Sequence, residues 1–282
     1  MKTIKRFLCI LIGCGMLVAC NDKRSEPDNP SETLSHRIAG TSDWNSQFRP
    51  QGATFKYDNA GRMVKIVCQQ AESNVIYEPY EYGGETFDMR IDPFWENSFW
   101  IFKLNDRGYA VKAIKLEKTE TWGLRTQVYR NYEYNENDQL AKITCPMGNW
   151  SLTFTYRDED VVRIEGKISR ESTTLVIEPF YENLITHATM ENKARLMLPE
   201  WMFETGEASD KYSFAGSHEC GMLGLLGKGP RHLPIGNMMT DFDKRCWNSD
   251  FEWKLDKDGY PVEFTTVLSS KLHKNYLRWE TF

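Results

Sequence analysis

The stretch Phe55-Lys56-Tyr57-Asp58-Asn59-Ala60-Gly61-Arg62-Met63-Val64-Lys65-Ile66 contains the unit that decides the fold of this chain. Apolar and polar side chains alternate on both sides of a short turn that holds Asp58 and Gly61. Alternation with a period of two is what a half-buried strand needs, and Asx and Gly residues suit the turn between two strands. The stretch therefore predicts a β-hairpin.

The same unit returns four times along the chain. The further copies lie at 102–114, 132–143, 253–264 and, in a weaker form, at 154–164. Other strand-like runs lie at 73–82, 86–91, 173–180, 184–190 and 271–282. Five hairpins and these runs predict an all-β antiparallel meander of roughly 12 to 14 strands. Because so wide a sheet does not remain flat, we expect it to curl into a half-barrel or a closed barrel.

No sustained helical period is present in the sequence. The Gly-rich stretch at 221–227 is consistent with either a short buried helix or a packed loop.

The first 19 residues have the layout of a secretory signal. Three basic residues, Lys2, Lys5 and Arg6, precede an apolar run at 7–18 that is too short to span a bilayer as a helix. The junction Leu17-Val18-Ala19-Cys20 resembles a bacterial lipoprotein signal, in which the cysteine is acylated and becomes the first residue. We therefore predict that Cys20 carries lipid. An ordinary signal peptide or an uncleaved anchor helix is the alternative interpretation.

The residues after Cys20 predict a tether and a cellular location. Residues 20–42 are polar and poor in apolar side chains, which predicts a flexible tether, and 43–282 is predicted as a single β domain. Asn21, where an aspartate would signal inner-membrane retention, favours the outer membrane. The short charged patch at 22–26 favours the outer face of that membrane, at the cell surface.

Charge and cysteine content narrow the possible partners. Loss of the signal would move the formal net charge from −5 to −8, which argues against nucleic acid as a partner. Four cysteines remain beyond Cys20, namely Cys68, Cys145, Cys220 and Cys246. Their irregular spacing predicts at most one disulfide, with Cys220–Cys246 as the expected pair.

Sequence motifs for catalysis or cofactors are missing. The chain has no nucleophile elbow, no phosphate-binding loop and no His-Glu-x-x-His motif. His218, Cys220, His232 and Cys246 have spacings that fit no zinc site, so no metal is expected. The carboxylates that hydrolysis could use, which we read as solvated turns and strand faces, are Asp158, Glu159, Asp160, Glu117 and Glu120. We predict neither a cofactor nor a catalytic residue.

Aromatic residues near predicted turns are the remaining candidates for binding. They are Trp95, Phe99, Trp100, Trp122, Trp150, Trp201 and Trp247. We expect them to fill the core and the ends of the sheet, although aromatics at loop ends can also stack on sugars or anchor a partner.

The Tyr-Asp-x-x-Gly units resemble the YD repeats of Rhs-type surface proteins. A fuller resemblance is to an uncharacterised family of bacterial lipoproteins described as having a porin-like fold. The matching pieces are the hairpin at 55–62, Asn192-Lys193-Ala194, the run at 223–234 and the hairpin at 256–261. The resemblance covers about residues 44 to 282 and implies a fold and a location, but no activity and no catalytic residues.

Charged residues interrupt most of the strands, as Lys103, Glu133 and Lys254 do. A membrane-spanning strand needs a clean apolar outward face, so we predict a soluble rather than membrane-spanning barrel. The resulting hypothesis is an outer-membrane-anchored, non-catalytic domain that binds a glycan or a peptide. The alternatives are a hydrolase acting on polysaccharide or peptidoglycan, and a carrier of an apolar molecule.

Overall fold

The computed structural model describes residues 36–41, 52–68, 71–92, 97–168, 174–197, 217–241, 243–268 and 271–281. All of them belong to one compact unit, Ser35–Phe282. The signal at 1–19, the lipidated Cys20 and the tether up to residue 35 lie outside the described residues and stay predictions.

The described part of the chain consists of β-strands and one short helix. The first nine strands are β1 (His36–Thr41), β2 (Ala53–Tyr57), β3 (Met63–Cys68), β4 (Ala71–Ile76), β5 (Tyr80–Tyr82), β6 (Glu85–Phe87), β7 (Met89–Ile91), β8 (Ser98–Leu104) and β9 (Ala110–Thr119). They are followed by β10 (Gly123–Tyr134), β11 (Leu140–Cys145), β12 (Trp150–Arg157), β13 (Asp160–Ile168), β14 (Thr174–Phe180), α1 (Ser217–Met222), β15 (Gly236–Thr240), β16 (Cys246–Leu255), β17 (Pro261–Leu268) and β18 (Lys271–Thr281).

Sixteen of these strands form a closed antiparallel barrel. Neighbours along the chain pair with each other, except that β4 pairs with β7 and that β1 closes the barrel against β18. At the closure, Ile38 lies opposite Trp279. Strands β5 and β6 form a separate hairpin. The predicted all-β antiparallel meander is confirmed, and the closed barrel is the form that it takes.

Several strand predictions need correction. Strand β1 occupies residues 36–41, so the end of the predicted tether at 20–42 belongs to the barrel. The run at 184–190 contains no strand, and the runs at 73–82 and 86–91 each break into two strands. These breaks make the strands shorter and more numerous, so that the described residues hold 18 of them.

The five predicted hairpins are all present, and four share one turn. In each, an Asp or Asn accepts two main-chain N–H bonds through Oδ1, as Asp58 does from Ala60 and Arg62 at 2.9 Å. The second residue before the second strand has a positive φ, for example 78° at Gly61. Hairpin loops that end in a residue with left-handed backbone are accompanied by a β-bulge beside the turn. The register between β2 and β3 accordingly shifts between Lys56 and Tyr57.

All five of these turns lie at the same end of the barrel. Successive barrel strands alternate in direction, and each of these turns follows a strand that runs toward that end. Strand β1 begins at this end, and β14 finishes there. We call it the plugged end, since the described parts of the long connection from β14 to β15, residues 190–197 and 217–235, pack across it. These two pieces are the plug segment.

The plug segment is fixed to the hairpins by main-chain bonds. The carbonyl of Leu225 accepts from the amide of Ala110 at 2.8 Å, and the amide of Lys228 donates to the carbonyl of Asp138 at 2.8 Å. Helix α1 covers the start of the Gly-rich stretch at 221–227, and turns follow it. Cys220, Met222 and Leu226 are buried in the same core as the barrel strands.

The inside of the barrel is apolar. Sixteen-stranded porins leave a water-filled channel, so an accessible and polar lumen would be expected of a pore. Here most inward side chains of the described strands are inaccessible. The strand residues of this core with no exposure are Ile66, Met89, Phe102, Ala110, Ala113, Leu140, Ile143, Leu152, Val161, Ile164, Leu175, Ile177 and Met239.

The outside of the barrel is charged. Ion pairs cross neighbouring strands on the outward face, as between Lys65 and Glu72 at 2.6 Å and between Arg37 and Glu280 at 2.7 Å. Glu263 on β17 receives both Lys254 at 3.0 Å and Lys274 at 2.9 Å. This polarity is the reverse of a membrane-spanning barrel, whose outward band is apolar. The described residues include no helix that is long and apolar enough to cross a membrane.

One outward apolar patch is covered by the protein itself. The β5–β6 hairpin folds over Ile101, Ile114 and Leu116 on the outer face of β8 and β9, and Phe87 packs against them. The hairpin is held by Glu85, which pairs with Lys112 at 2.6 Å.

Candidate binding face inside the barrel

The predicted aromatic residues divide between the core and the surface. Trp100 and Trp150 are buried in the lumen, and Phe99 lies under the β5–β6 hairpin, edge-on to Tyr80 at 5.7 Å. Trp122 is different, because it is 82% exposed at the tip of the β9–β10 turn. Trp95, Trp201 and the side chain of Trp247 lie outside the described part of the chain.

The predicted disulfide does not form, and the residues weighed as zinc ligands do not converge. All four cysteines of the barrel are free, so the pairing of Cys220 with Cys246 is wrong. Cys220 is buried beside the Tyr132 hydroxyl, at 3.8 Å, whereas Cys246 is exposed at the other end of the barrel. His232 bonds Asp160 at 2.6 Å, and the side chain of His218 lies outside the described residues.

The carboxylates weighed for hydrolysis have separate roles. Asp160 accepts the main-chain N–H of His232 at 2.8 Å, and its other carboxylate oxygen lies 2.6 Å from Nδ1 of the His232 ring. Glu159 pairs with Arg195 at 3.0 Å. These contacts hold the plug segment to the β12–β13 turn. Glu117 lies on the inner side of β9, while Glu120 is exposed in the following turn. On the inward faces of β8, β9 and β10, Glu117 is the one carboxylate.

A polar surface interrupts the apolar interior at the end opposite the plug. Inward positions on β9 and β10 carry Lys115, Glu117, Arg125 and Arg130, and we call these four residues the inner charged face. Their orientation follows from the register, since Ala113 of the lumen core pairs with Arg130 and Glu117 pairs with Arg125. Lys115 and Glu117 are half-buried and Arg125 is exposed.

A bulge sets the direction of Arg125. The register between β9 and β10 shifts between Thr126 and Val128, which inserts Gln127 as an extra residue. Side chains alternate strictly along a regular strand, so without the insertion Arg125 would point outward with Tyr129. Bulges commonly re-aim side chains next to functional sites, and this one adds a cation to the inner charged face.

The inner charged face is accessible because the β9–β10 hairpin overhangs its neighbour. Strand β11 pairs with β10 at Asn131–Tyr134, so that Gly123–Tyr129 is paired with β9 alone among the described strands. Trp122 stands at the tip of the same overhang, fixed by a bond from its amide to the Thr119 hydroxyl at 3.1 Å.

Arg130 forms the inner limit of this face. It is 3% exposed, and its guanidinium lies 4.7 Å from the centre of the Trp150 ring. Nη1 donates to the Tyr129 carbonyl at 2.9 Å and to the Cys145 thiol at 2.7 Å. A buried cation held over an aromatic ring is a rigid source of positive potential.

The side chains of Lys115, Glu117 and Arg125 have no hydrogen bond or ion pair within the described structure. Charges at partly buried positions interact more strongly than fully solvated ones, because the surrounding dielectric is lower. Three cations and one carboxylate give the inner charged face a net positive character, which attracts an anionic ligand. The same set lacks the paired carboxylates that glycoside hydrolysis requires.

A second depression lies at the plugged end between the turns that follow β8 and β10. It has a volume of about 350 Å³ and is lined by Asn105, Arg107, Asn135 and Asp138, among others. Arg107 and Asp138 pair with each other across it. Its charges are therefore already matched, which leaves the inner charged face as the stronger candidate.

The sequence named two residues of this region, Glu117 and Trp122, but not Lys115, Arg125 or Arg130. Their inward direction depends on the bulge at Gln127, which nothing in the local sequence announces.

Comparison with known proteins gives similarity at the level of the fold. No family model matches the chain, and no curated protein matches it. A porin-like protein from Bacteroides uniformis is similar in structure, with a TM-score of 0.55 and 14% identity, over 87% of this chain and 98% of that one. A porin-like protein from Bacteroides vulgatus is similar with a TM-score of 0.53 and 13% identity, over 86% and 98%. The chain therefore has a porin-like barrel fold.

Proposed function

We propose that the protein is an outer-membrane-anchored lipoprotein whose barrel stands outside the bilayer and binds an acidic glycan. The binding site is the inner charged face of the β9–β10 overhang, with Trp122 at its rim. The observation that carries the proposal is the placement of Lys115 and Arg125, with the buried Arg130 at their inner limit, on an inward surface of an otherwise mostly apolar barrel.

The anchor is supported by the sequence at Leu17–Cys20, with Cys20 as the acylated residue. Several acyl chains on one cysteine would make the attachment effectively permanent, since each buried methylene adds about 0.8 kcal/mol. The porin-like descriptions of the two Bacteroides structures favour an outer-membrane address.

A position outside the bilayer is supported by the charged outer wall. Charges on the lipid face of a membrane-spanning barrel cost about 2–4 kcal/mol each near the midplane. Arg163, Glu165 and Glu178 form one of several such clusters, with Arg163 contacting both carboxylates at 2.9 Å. Water, rather than lipid, suits this surface.

Binding without catalysis is supported by the composition of the inner charged face. A glycan carries ring faces that an exposed indole can stack on, and uronic-acid carboxylates that Lys115 and Arg125 can pair with. A carrier of an apolar molecule would need an open apolar cavity, whereas the described lumen is filled by side chains.

The first prediction concerns the cations of this face. We expect a chain that begins at Asn21 to bind immobilised polygalacturonate, and the Lys115→Gln/Arg125→Gln variant to bind at least tenfold more weakly. Salt should weaken binding by the unaltered chain, because these partly exposed charges are screened. Biolayer interferometry at two salt concentrations measures both effects.

Lys118→Gln is the matched control, because Lys118 lies on the same strand but on its outward face. It should bind as the unaltered chain does. Equal losses in the control and the double variant, or binding to neutral dextran as strong as to polygalacturonate, would contradict the acidic-glycan proposal.

A second candidate function is capture of an acidic peptide. It is favoured by the overhang at Gly123–Tyr129, whose edge toward β11 has no partner strand among the described residues. An extended peptide could pair with such an edge by main-chain hydrogen bonds. Binding of acidic peptides, but not of polysaccharide, in the same assay would select this function.

A further inference from the structure

We propose that the turn carrying Leu184 and Ile185 is a second membrane contact, which places both side chains in the lipid surface when the barrel is tethered. The inference rests on the proposed anchor at Cys20, and is independent of the ligand of the inner charged face.

The two side chains are unusually exposed for large aliphatic residues. Leu184 is 92% exposed and Ile185 is 89% exposed, and they are adjacent in sequence. Single exposed apolar residues are ordinary on protein surfaces, but a projecting apolar pair is typical of a contact with another apolar phase.

The turn is built to hold them outward. Asn183 accepts the amides of Ile185 at 2.9 Å and of Thr186 at 3.0 Å through Oδ1, and its carbonyl accepts the amide of His187 at 2.8 Å. His187 has a φ of 54°, which closes the turn. Because the tip is preformed, burying its side chains in lipid requires little further ordering.

The base of the turn is fixed to the barrel. Tyr181 is buried and its hydroxyl donates to the Val161 carbonyl at 3.1 Å. On the other side, the carbonyl of Met190 accepts the amide of Leu233 in the plug segment at 2.7 Å. The tip therefore projects from a rigid support at the plugged end.

The plugged end is also where the lipidated chain would enter the barrel, because β1 begins there at His36, opposite Thr281. The predicted tether of about 15 residues between Cys20 and β1 would, as a flexible chain, have a root-mean-square length of about 20 Å. The opposite end is a strand length further away, about 20 Å when tilt is included. The tether thus favours contact by the plugged end.

Tethering also makes a weak contact sufficient. Partial burial of two aliphatic side chains gives binding on the order of millimolar for a free protein. A short flexible tether supplies an effective concentration that is also in the millimolar range. We therefore expect the tip to insert in the anchored protein, and to leave the membrane when the anchor is absent.

The charges beside the tip define the lipid chemistry. Glu182 and His187 flank it in sequence and pair with each other, so the residues on either side of the apolar pair add no unpaired basic group. Insertion is driven by apolar burial, and it does not depend on anionic lipids.

The test uses the full lipidated protein in phosphatidylcholine vesicles. Ile185→Cys, made with Cys246→Ser to remove the exposed thiol, is labelled with an environment-sensitive dye. Trp122→Cys in the same background is the matched control, since Trp122 is 82% exposed at the opposite end. We expect the dye at 185 to shift to the blue and to be quenched at least twofold by shallow nitroxide lipids, and the dye at 122 to do neither.

Anionic lipid at 20 mol% or so should leave the quenching at 185 unchanged. Vesicle flotation separates the possible failures. If the protein floats but the dye at 185 stays in water, or if 122 is quenched instead, the second contact is wrong and the anchor stands. If the protein does not float, both the anchor and the contact are wrong.

Discussion

At the scale of single residues, tyrosines near the ends of strands β10 and β12 link their hairpins to the hairpin before. The hydroxyl of Tyr134 donates to the Ala110 carbonyl at 2.7 Å, and that of Tyr156 donates to the Leu140 carbonyl at 2.9 Å. In both cases the acceptor begins the preceding strand. Tyr57, Tyr181 and Trp279 make the corresponding bonds, and the five residues form an aromatic belt at the plugged end.

Burial keeps the belt in its donor form. It raises the pKa of the Tyr134 and Tyr156 hydroxyls well above their ordinary value, because a buried phenolate would lose its hydration. Where a tyrosine precedes an Asx residue, as at Tyr57-Asp58 and Tyr134-Asn135, the pair therefore encodes two things, a turn through the Asx residue and a cross-link through the tyrosine.

We predict that Tyr134→Phe lowers the free energy of unfolding by about 1–3 kcal/mol, because it leaves the buried Ala110 carbonyl without its hydroxyl donor. The control is Tyr109→Phe. The Tyr109 ring lies 5.4 Å from that of Tyr134, but its hydroxyl makes no hydrogen bond in the described structure. This variant should change stability by less than about 0.5 kcal/mol. Urea unfolding of the chain from Asn21 measures both, and equal losses would contradict a role for the hydrogen bond.

At the scale of elements, one turn is used at both ends of the barrel. Asp241 accepts the amides of Asp243 and Arg245 at 2.9 Å, as Asn105 accepts those of Arg107 and Tyr109 at 3.0 Å. In the copy at Asp241, Lys244, with a φ of 63°, occupies the position where glycine stands in three of the other turns and Asp138 in the fourth, so the turn lacks the glycine signal.

Gly108 gives a clean test of this backbone requirement. Its φ is 81°, and a Cβ added there would meet nothing within 4 Å, so Gly108→Ala adds strain without a clash. We predict a loss of about 1–2 kcal/mol in the free energy of unfolding. Asp106→Ala in the same turn is the control and should stay within about 0.5 kcal/mol. A Gly108→Ala variant as stable as the control would refute the turn assignment.

The sequence predicted the hairpins because their signals are local. Alternation and an Asx-x-x-Gly turn lie within a dozen residues, so each unit can be recognised without its neighbours. Strand β1 was missed because most of its pairing is with β18 at the far end of the chain, with Arg37 opposite Glu280 across the closure, and only Gly40 and Thr41 pair with β2. The run at 184–190 alternates like a strand, but Asn183 folds it into a turn.

The candidate site was less predictable than the fold. Glu117 and Trp122 stood out by residue type, yet the direction of Arg125 is set by a bulge and the burial of Arg130 by a contact with Trp150 on another hairpin. The cysteine pairing failed for a similar reason, because Cys220 belongs to the plug segment and Cys246 to the opposite end. Long-range packing decides these features.

At the scale of the whole barrel, the polarity determines its environment. An apolar lumen closed by a plug segment, together with an outer wall crossed by ion pairs, describes a barrel that folds in water around a core. The porin-like architecture is then a scaffold that presents the inner charged face at one end and the plugged end, from which the proposed tether would run, at the other.

The most direct test of this account is the fractionation of a chain from Asn21 to Phe282 that is exported behind a cleavable signal without a lipidation cysteine. We predict that it is recovered in the aqueous fraction without detergent, with a β-sheet circular dichroism spectrum, while the unaltered protein sediments with membranes. Recovery of the Asn21 chain in the membrane fraction, released only by detergent, would show that the barrel itself is embedded and would contradict the account.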